Sequence, residues 1–184
     1  PTPTADHPAP HTRIERGAMM PTEAQIERLV AMLNEAERVL VICGPRCPAG
    51  DFPTKADMLG VACGWVVLAD VLSGVRYHPD QTNIMGDYEL FIQQARDWQA
   101  PDVVLHFGAM PTSQALLDYL SGLHPRHRIG ISADGIWTDF DHRLDFWLHA
   151  DPAVVCTALI ERFGDQSAAR TWYDQFAQAD MHVM

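Results

Sequence analysis

Basic residues are scarce in this sequence: 13 Lys and Arg stand against 24 Asp and Glu, a formal net charge of −11. The few cations are scattered, so nucleic acid and anionic membrane are poor partners. Long apolar runs are missing too. No stretch approaches the ~20 residues that span a bilayer, which predicts a soluble, cytoplasmic protein without a membrane span. The opening stretch PTPTADHPAPHTRIERG has neither the apolar core of a signal peptide nor a Met. Residues 1–20 are read as a Pro-rich linker, and a start of that kind suggests a piece cut from a longer chain.

Cysteine is limited to Cys43, Cys47, Cys63 and Cys156. With no export signal, a disulfide framework is not expected. Cys43 and Cys47 flank Gly44-Pro45-Arg46, but a zinc site needs a second pair. Cys43 is read as the end of a buried strand and Cys47 as part of the following loop. Signature motifs are absent as well: there is no G-x-G-x-x-G, no Walker-type G-x-x-x-x-G-K, no G-x-S-x-G and no H-E-x-x-H. Nucleotide binding through the usual glycine patterns, acyl transfer on a nucleophile elbow and zinc proteolysis all lose their specific signals.

What is present is a regular alternation. Thr22 and Gln25 form a capping-box pattern, followed by Ile26, Leu29, Val30 and Leu33 at helical spacing. Strands are predicted at 38–44, 65–70, 102–108, 127–132 and 145–150, each a short apolar run. Helices are predicted at 52–63, around 88–98, at 112–122, from Pro152 with Asp151 as its cap, and at about 168–180. The stretch 71–87 is read as a long connection. Strands alternating with helices imply βαβ units, and continuous apolar strands imply cover on both faces. The expected fold is an α/β, Rossmann-like three-layer domain over 21–166, with a mainly parallel sheet of five or six strands. Residues 167–184 are read as a C-terminal helix whose Trp172, Tyr173 and Phe176 form a docking stripe.

In such sheets ligands gather beyond the carboxyl ends of the strands. Four crests lie there: Gly44–Asp51, Asp70–Arg76, Gly108–Gln114 and Ala133–Asp139. The third joins a strand to a helix through Pro111-Thr112-Ser113 and has the form of an anion cradle. Arg76, at a strand tip, reaches either an anion or a surface carboxylate. His106 lies inside an apolar strand and is read as a satisfied core imidazole. His124 and His127 bracket a turn. Asp139, Asp141 and Asp145 form an acidic cluster, read as loop capping ahead of a cation site. No nucleophile, acid–base pair or metal set assembles, and a chain of this size without one fits part of an enzyme better than a whole one.

Four tracts, GWVVLADVLSGVR (64–76), PDVVLHFGAMPTSQALLDYL (101–120), GIWTDFDHR (135–143) and HADP (149–152), occur in order. Together they resemble the central domain of the menaquinone-pathway synthase family MenD, the thiamine-diphosphate-dependent 2-succinyl-5-enolpyruvyl-6-hydroxy-3-cyclohexene-1-carboxylate synthases. The likeness covers about 38–163. It implies a full-length transferase that uses thiamine diphosphate and Mg2+ or Mn2+ to decarboxylate 2-oxoglutarate and joins the product to isochorismate. The cofactor-binding elements, including the Glu that activates the thiazolium ring, then belong to flanking domains of the same chain. The diphosphate motif begins G-D-G, whereas Gly86-Asp87 precedes Tyr88 and Gly164-Asp165 precedes Gln166. No catalytic, cofactor-binding or metal residue is therefore expected in this fragment, and no cofactor of its own; the full-length enzyme is expected to be a homo-oligomer.

Substrate-facing candidates by resemblance are Arg76, Thr112, Ser113 and Gln114. Gln114 stands where the family has a cleft-facing Lys, and His106 where it commonly has Arg. Val71 and Phe140 replace family prolines. Loss of charge at 114 weakens anion contact, and Gln114→Lys is expected to strengthen it. Two other readings stay open: a regulatory Rossmann-like module for a nucleotide or acidic metabolite, and a self-contained oxidoreductase or hydrolase.

Overall fold

The computed structural model describes residues 15, 17–76, 82–137, 139, 142–164 and 170–182. Most of the expected linker, residues 77–81, Phe140, Asp141 and the boundary at 166–167 fall outside them. Alternation of side chains along each strand builds the molecule. In β1 (Val39–Cys43), Val39, Val41 and Cys43 point to one face while Leu40 and Ile42 point to the other, and all five are buried. Both faces of β1, β2 (Val66–Ala69) and β4 (Val103–Phe107) are covered. Each fully buried aliphatic side chain contributes about 1.5–3 kcal/mol, so neither face can be left to water.

One face carries α1 (Glu23–Leu33), α2 (Phe52–Cys63) and α4 (Pro152–Phe163), packed through Leu29, Phe52, Leu59, Val155 and Leu159. The other carries α3 (Gln114–Ser121) and α5 (Arg170–Met181), with Tyr88, Phe91, Ile92 and Ala95. The helix ends follow local chemistry. Thr22 and Gln25 make a reciprocal capping box, and Asp151 accepts from the Ala153 N–H at 2.8 Å with Pro152 in the first turn. Gly64 ends α2 in the left-handed region.

With β3 at Ile84–Met85, β5 at His127–Ser132 and β6 at Phe146–His149, the six strands among the described residues run parallel in the order β3-β2-β1-β4-β5-β6. This is the three-layer Rossmann-like fold that the alternation implied. Two local expectations need correction. Strand β3 (Ile84–Met85) arises inside the stretch read as a connection: the Asp57 carboxylate accepts the amides of Thr82 (3.0 Å) and Asn83 (2.7 Å), guiding two residues onto the edge of β2. The helix expected at 88–98 is two 3-10 turns, Tyr88–Leu90 and Gln94–Asp97. Residues 88, 91, 92 and 95 do face the core, but Phe91 at φ −126° interrupts the helical backbone.

The aromatic stripe of α5 docks on this same domain. Trp172 Nε1 donates to the Gln99 carbonyl at 2.8 Å, and Phe176 meets Trp98 with ring centroids 4.9 Å apart. Among the described residues, no helix is long and apolar enough to cross a membrane.

Candidate functional site

The strand order reverses direction between β1 and β4, and a parallel sheet opens its ligand crevice at that switch point. Here the two crests that flank it are packed together. Gly44 N–H donates to the Phe107 carbonyl at 2.9 Å, and Ala109 N–H to the Pro45 carbonyl at 2.7 Å. A Cβ on Gly44 would fall on the Ala109 carbonyl oxygen, and one on Gly108 would lie 2.5 Å from the Pro45 oxygen. Two backbones this close leave no room for a diphosphate between them.

His106 secures the closure from below. It is 5% exposed, and its Nε2 lies 2.8 Å from the Ala109 carbonyl oxygen. Burial lowers its pKa from 6.5 to about 4, against the opposing pull of that carbonyl and the Asp139 and Asp70 carboxylates. Neutral at physiological pH, the ring donates Nε2–H to the carbonyl. The core-imidazole reading of His106 matches this geometry.

The crest at Gly108–Gln114 does hold a carboxylate, and it is the protein's own. Asp70, fully buried at the end of β2, accepts the Thr112 N–H at 2.6 Å and the Thr112 hydroxyl at 2.9 and 3.1 Å. It also accepts the Leu72 N–H at 2.8 Å. Sequence reasoning passed over Asp70; the signal available was an acidic residue closing an apolar strand directly before a small-residue crest. Ser113 is 7% exposed, and its hydroxyl caps α3 by accepting from Leu116 N–H at 3.3 Å. Gln114 is exposed, its amide donating to Asp118 at 2.7 Å. Thr112, Ser113 and Gln114 are thus contiguous on one crest, each with an intramolecular partner.

Arg76 is placed elsewhere. Its guanidinium donates to Asp87 at 2.8 Å, with the side chain 15% exposed. It lines a cavity of about 440 Å³ between the β3 edge and α5, shared with Asp87, Tyr173 and Asp180. Burial, and the charge of Asp87, raise the Asp180 carboxyl above its ordinary range. Thr112, Ser113 and Gln114 do not line this cavity, and the reach of Arg76 to a carboxylate is satisfied within the chain.

The fourth crest is tied to the first by Arg46 and Asp134, 3.2 Å apart. Against partial desolvation, the Ser132 hydroxyl, the Ile136 N–H and Arg46 hold the Asp134 carboxyl below its usual range. Asp139 is 2% exposed and accepts the amides of Arg143 and Leu144, which is loop capping. His127 lies 3.8 Å from Asp145. Among the described residues, no group of three His, Cys, Asp or Glu side chains suits a metal ion. All four thiols are free. Val71, Leu72, Ile136 and Trp137 stand exposed on the crests after β2 and β5.

No family model matches the chain. Curated relatives do. The chain is 37% identical over 179 residues to the 2-succinyl-5-enolpyruvyl-6-hydroxy-3-cyclohexene-1-carboxylate synthase of Roseiflexus castenholzii, covering 97% of this chain and 30% of that protein. The synthase of the same name from Roseiflexus sp. is 35% identical over 161 residues, 88% of this chain and 27% of the relative. That of Haloarcula marismortui is 32% identical over 178 residues, 93% and 29% respectively. The chain therefore spans under a third of the length of these relatives. Its fold is similar to part of a candidate thiamin diphosphate-dependent enzyme isolated from Mycobacterium smegmatis, with a TM-score of 0.55, 17% identity, and coverage of 86% of this chain and 31% of that one.

Proposed function

We propose that this chain, a relative of a segment of the 2-succinyl-5-enolpyruvyl-6-hydroxy-3-cyclohexene-1-carboxylate synthases, is the non-catalytic central domain of such an enzyme. The observation that carries the reading is the match itself: 37% identity across nearly all of this chain and only 30% of the relative. On this reading the whole protein is a cytoplasmic homo-oligomeric transferase in menaquinone synthesis. It decarboxylates 2-oxoglutarate on thiamine diphosphate with Mg2+ or Mn2+ and joins the product to isochorismate.

The described residues of the switch crevice do not fit thiamine diphosphate. The switch crevice is closed backbone to backbone, and the donors of the neighbouring crest are taken by Asp70. Cofactor and metal are assigned to flanking domains. This domain supplies a wall, with Thr112 and Gln114 as the exposed side chains of its crest, while Arg76 and Ser113 act structurally through Asp87 and the α3 cap.

Mixing the chain with 2-oxoglutarate, isochorismate, thiamine diphosphate and Mg2+ or Mn2+ tests the assignment. No product and no heat on cofactor titration are expected, whereas turnover by the chain alone would refute the fragment reading. Titration with NAD, FAD and ADP tests the regulatory-module reading, which the closed crevice disfavours; the expected result is no saturable heat.

The Gln114→Lys expectation changes with Asp118 in view. A cation at 114 meets the Asp118 carboxylate four residues on, and exposed pairs of this kind are worth ~0.2–1 kcal/mol. Gln114→Lys alone should leave 2-oxoglutarate binding within about threefold of the parent, and Gln114→Lys with Asp118→Asn should exceed it. Calorimetry showing equal affinities for the single and double variants would refute the Asp118 screen.

A further inference from the structure

The Asp70 carboxylate is fully buried, yet it meets the Thr112 N–H, the Thr112 hydroxyl and the Leu72 N–H, all within 3.1 Å. A carboxylate withdrawn from water is tolerated when several donors converge on it. Its own backbone is fixed as well, since Asp70 N–H donates to the Cys43 carbonyl at 2.9 Å and the Ser73 N–H donates to the Asp70 carbonyl at 3.0 Å. Strand β1 lies between β2 and β4, so this side chain reaches across the switch point to the third crest, 42 residues away in sequence. The backbone around Thr112 is held by further bonds. Ser113 caps α3, Leu117 N–H donates to the Ser113 carbonyl at 3.0 Å, and Ala109 is bound to Pro45.

We propose that Asp70 is a built-in ligand of the Gly108–Gln114 crest: its carboxylate occupies the place where the crest would take an external carboxylate, and it positions Thr112 and, through it, the exposed edge that Gln114 continues. Asp70 is a positioning residue in this scheme, whichever enzyme the crest serves. The resident carboxylate also accounts for an anion-cradle geometry in a chain that offers no open anion site there. Truncating the side chain while leaving the donors in place creates a pocket for a one-carbon carboxylate.

The test is Asp70→Ala in the chain as it exists, melted with increasing sodium formate and, in parallel, with sodium chloride at equal ionic strength. The variant should lose roughly 5 °C in Tm from unpaired donors. Formate should recover most of that loss and shift the Thr112 amide resonance, while chloride should do neither. The parent chain should not respond to formate beyond chloride. Asp70→Asn keeps the bulk but sets an amide against donors, so it should be destabilised and unresponsive to formate. Equal recovery in both salts, equal recovery in Asp70→Asn, or an Asp70→Ala chain unfolded with and without formate would each overturn the proposal.

Discussion

Gly44→Ala is expected to lower stability by about 4 kcal/mol, which in a chain of this length corresponds to a fall of roughly 10 °C in Tm. The added methyl falls on the Ala109 carbonyl oxygen and within 3.0 Å of His106 Nε2. Neither neighbour can give way cheaply. The Ala109 amide is bonded to Pro45, and its carbonyl to His106, so any shift breaks hydrogen bonds in a buried place. Overpacking alone costs typically ~1–3 kcal/mol, and a buried group left unpaired adds about 1–3. Gly50→Ala is the control: Gly50 has φ +83° but nothing within 4 Å, so only backbone strain of about 1–2 kcal/mol applies. Urea melts of the two variants check the claim. If Gly44→Ala costs no more than Gly50→Ala, the crests are not locked together.

The second large effect is a pH dependence carried by His106. Its pKa is about 4 in the fold against an ordinary 6.5, so between these values the unfolded chain holds a proton that the native chain lacks. Stability therefore rises with pH across this window. The contribution is complete above pH 6.5 and is lost as pH falls towards 4, a total of about 3 kcal/mol. The groups facing the ring are Asp139 and Asp70, which favour the protonated form, and Arg128 and Arg143, which line the same small void. His106→Gln keeps a donor for the Ala109 carbonyl and cannot titrate. The gap in unfolding free energy between parent and variant should narrow by about that amount from pH 7.5 to pH 4. Parallel curves would show that another group sets the acid limit.

The Gly44 effect arises from a contact that crosses between crests and the His106 effect from burial by elements distant in sequence, and that marks the divide between pattern and fold. The β1 run shows its two-faced burial in the residue types alone, because a doubly covered strand reads as a nearly continuous apolar run. Thr22, Asp151 and Gly64 show the helix ends, because caps are made with residues two to four positions away. Strand β3 and the broken helix at 88–98 were not readable in the same way. The first rests on Asp57, 25 residues distant, and the second on the backbone at Phe91 rather than on its side-chain spacing.

The site divides along the same line. Sequence set the fold class and the positions of the four crests, because local periodicity and motif spacing act over a few residues. It could not show that Asp70 fills the crest at Thr112, that Gly44 and Gly108 close the switch crevice, or that Arg76 is turned to Asp87. Those partners meet only once a parallel sheet brings distant strand tips within a few ångströms, and hydrogen bonding, which acts only at that range, then decides which donors remain available.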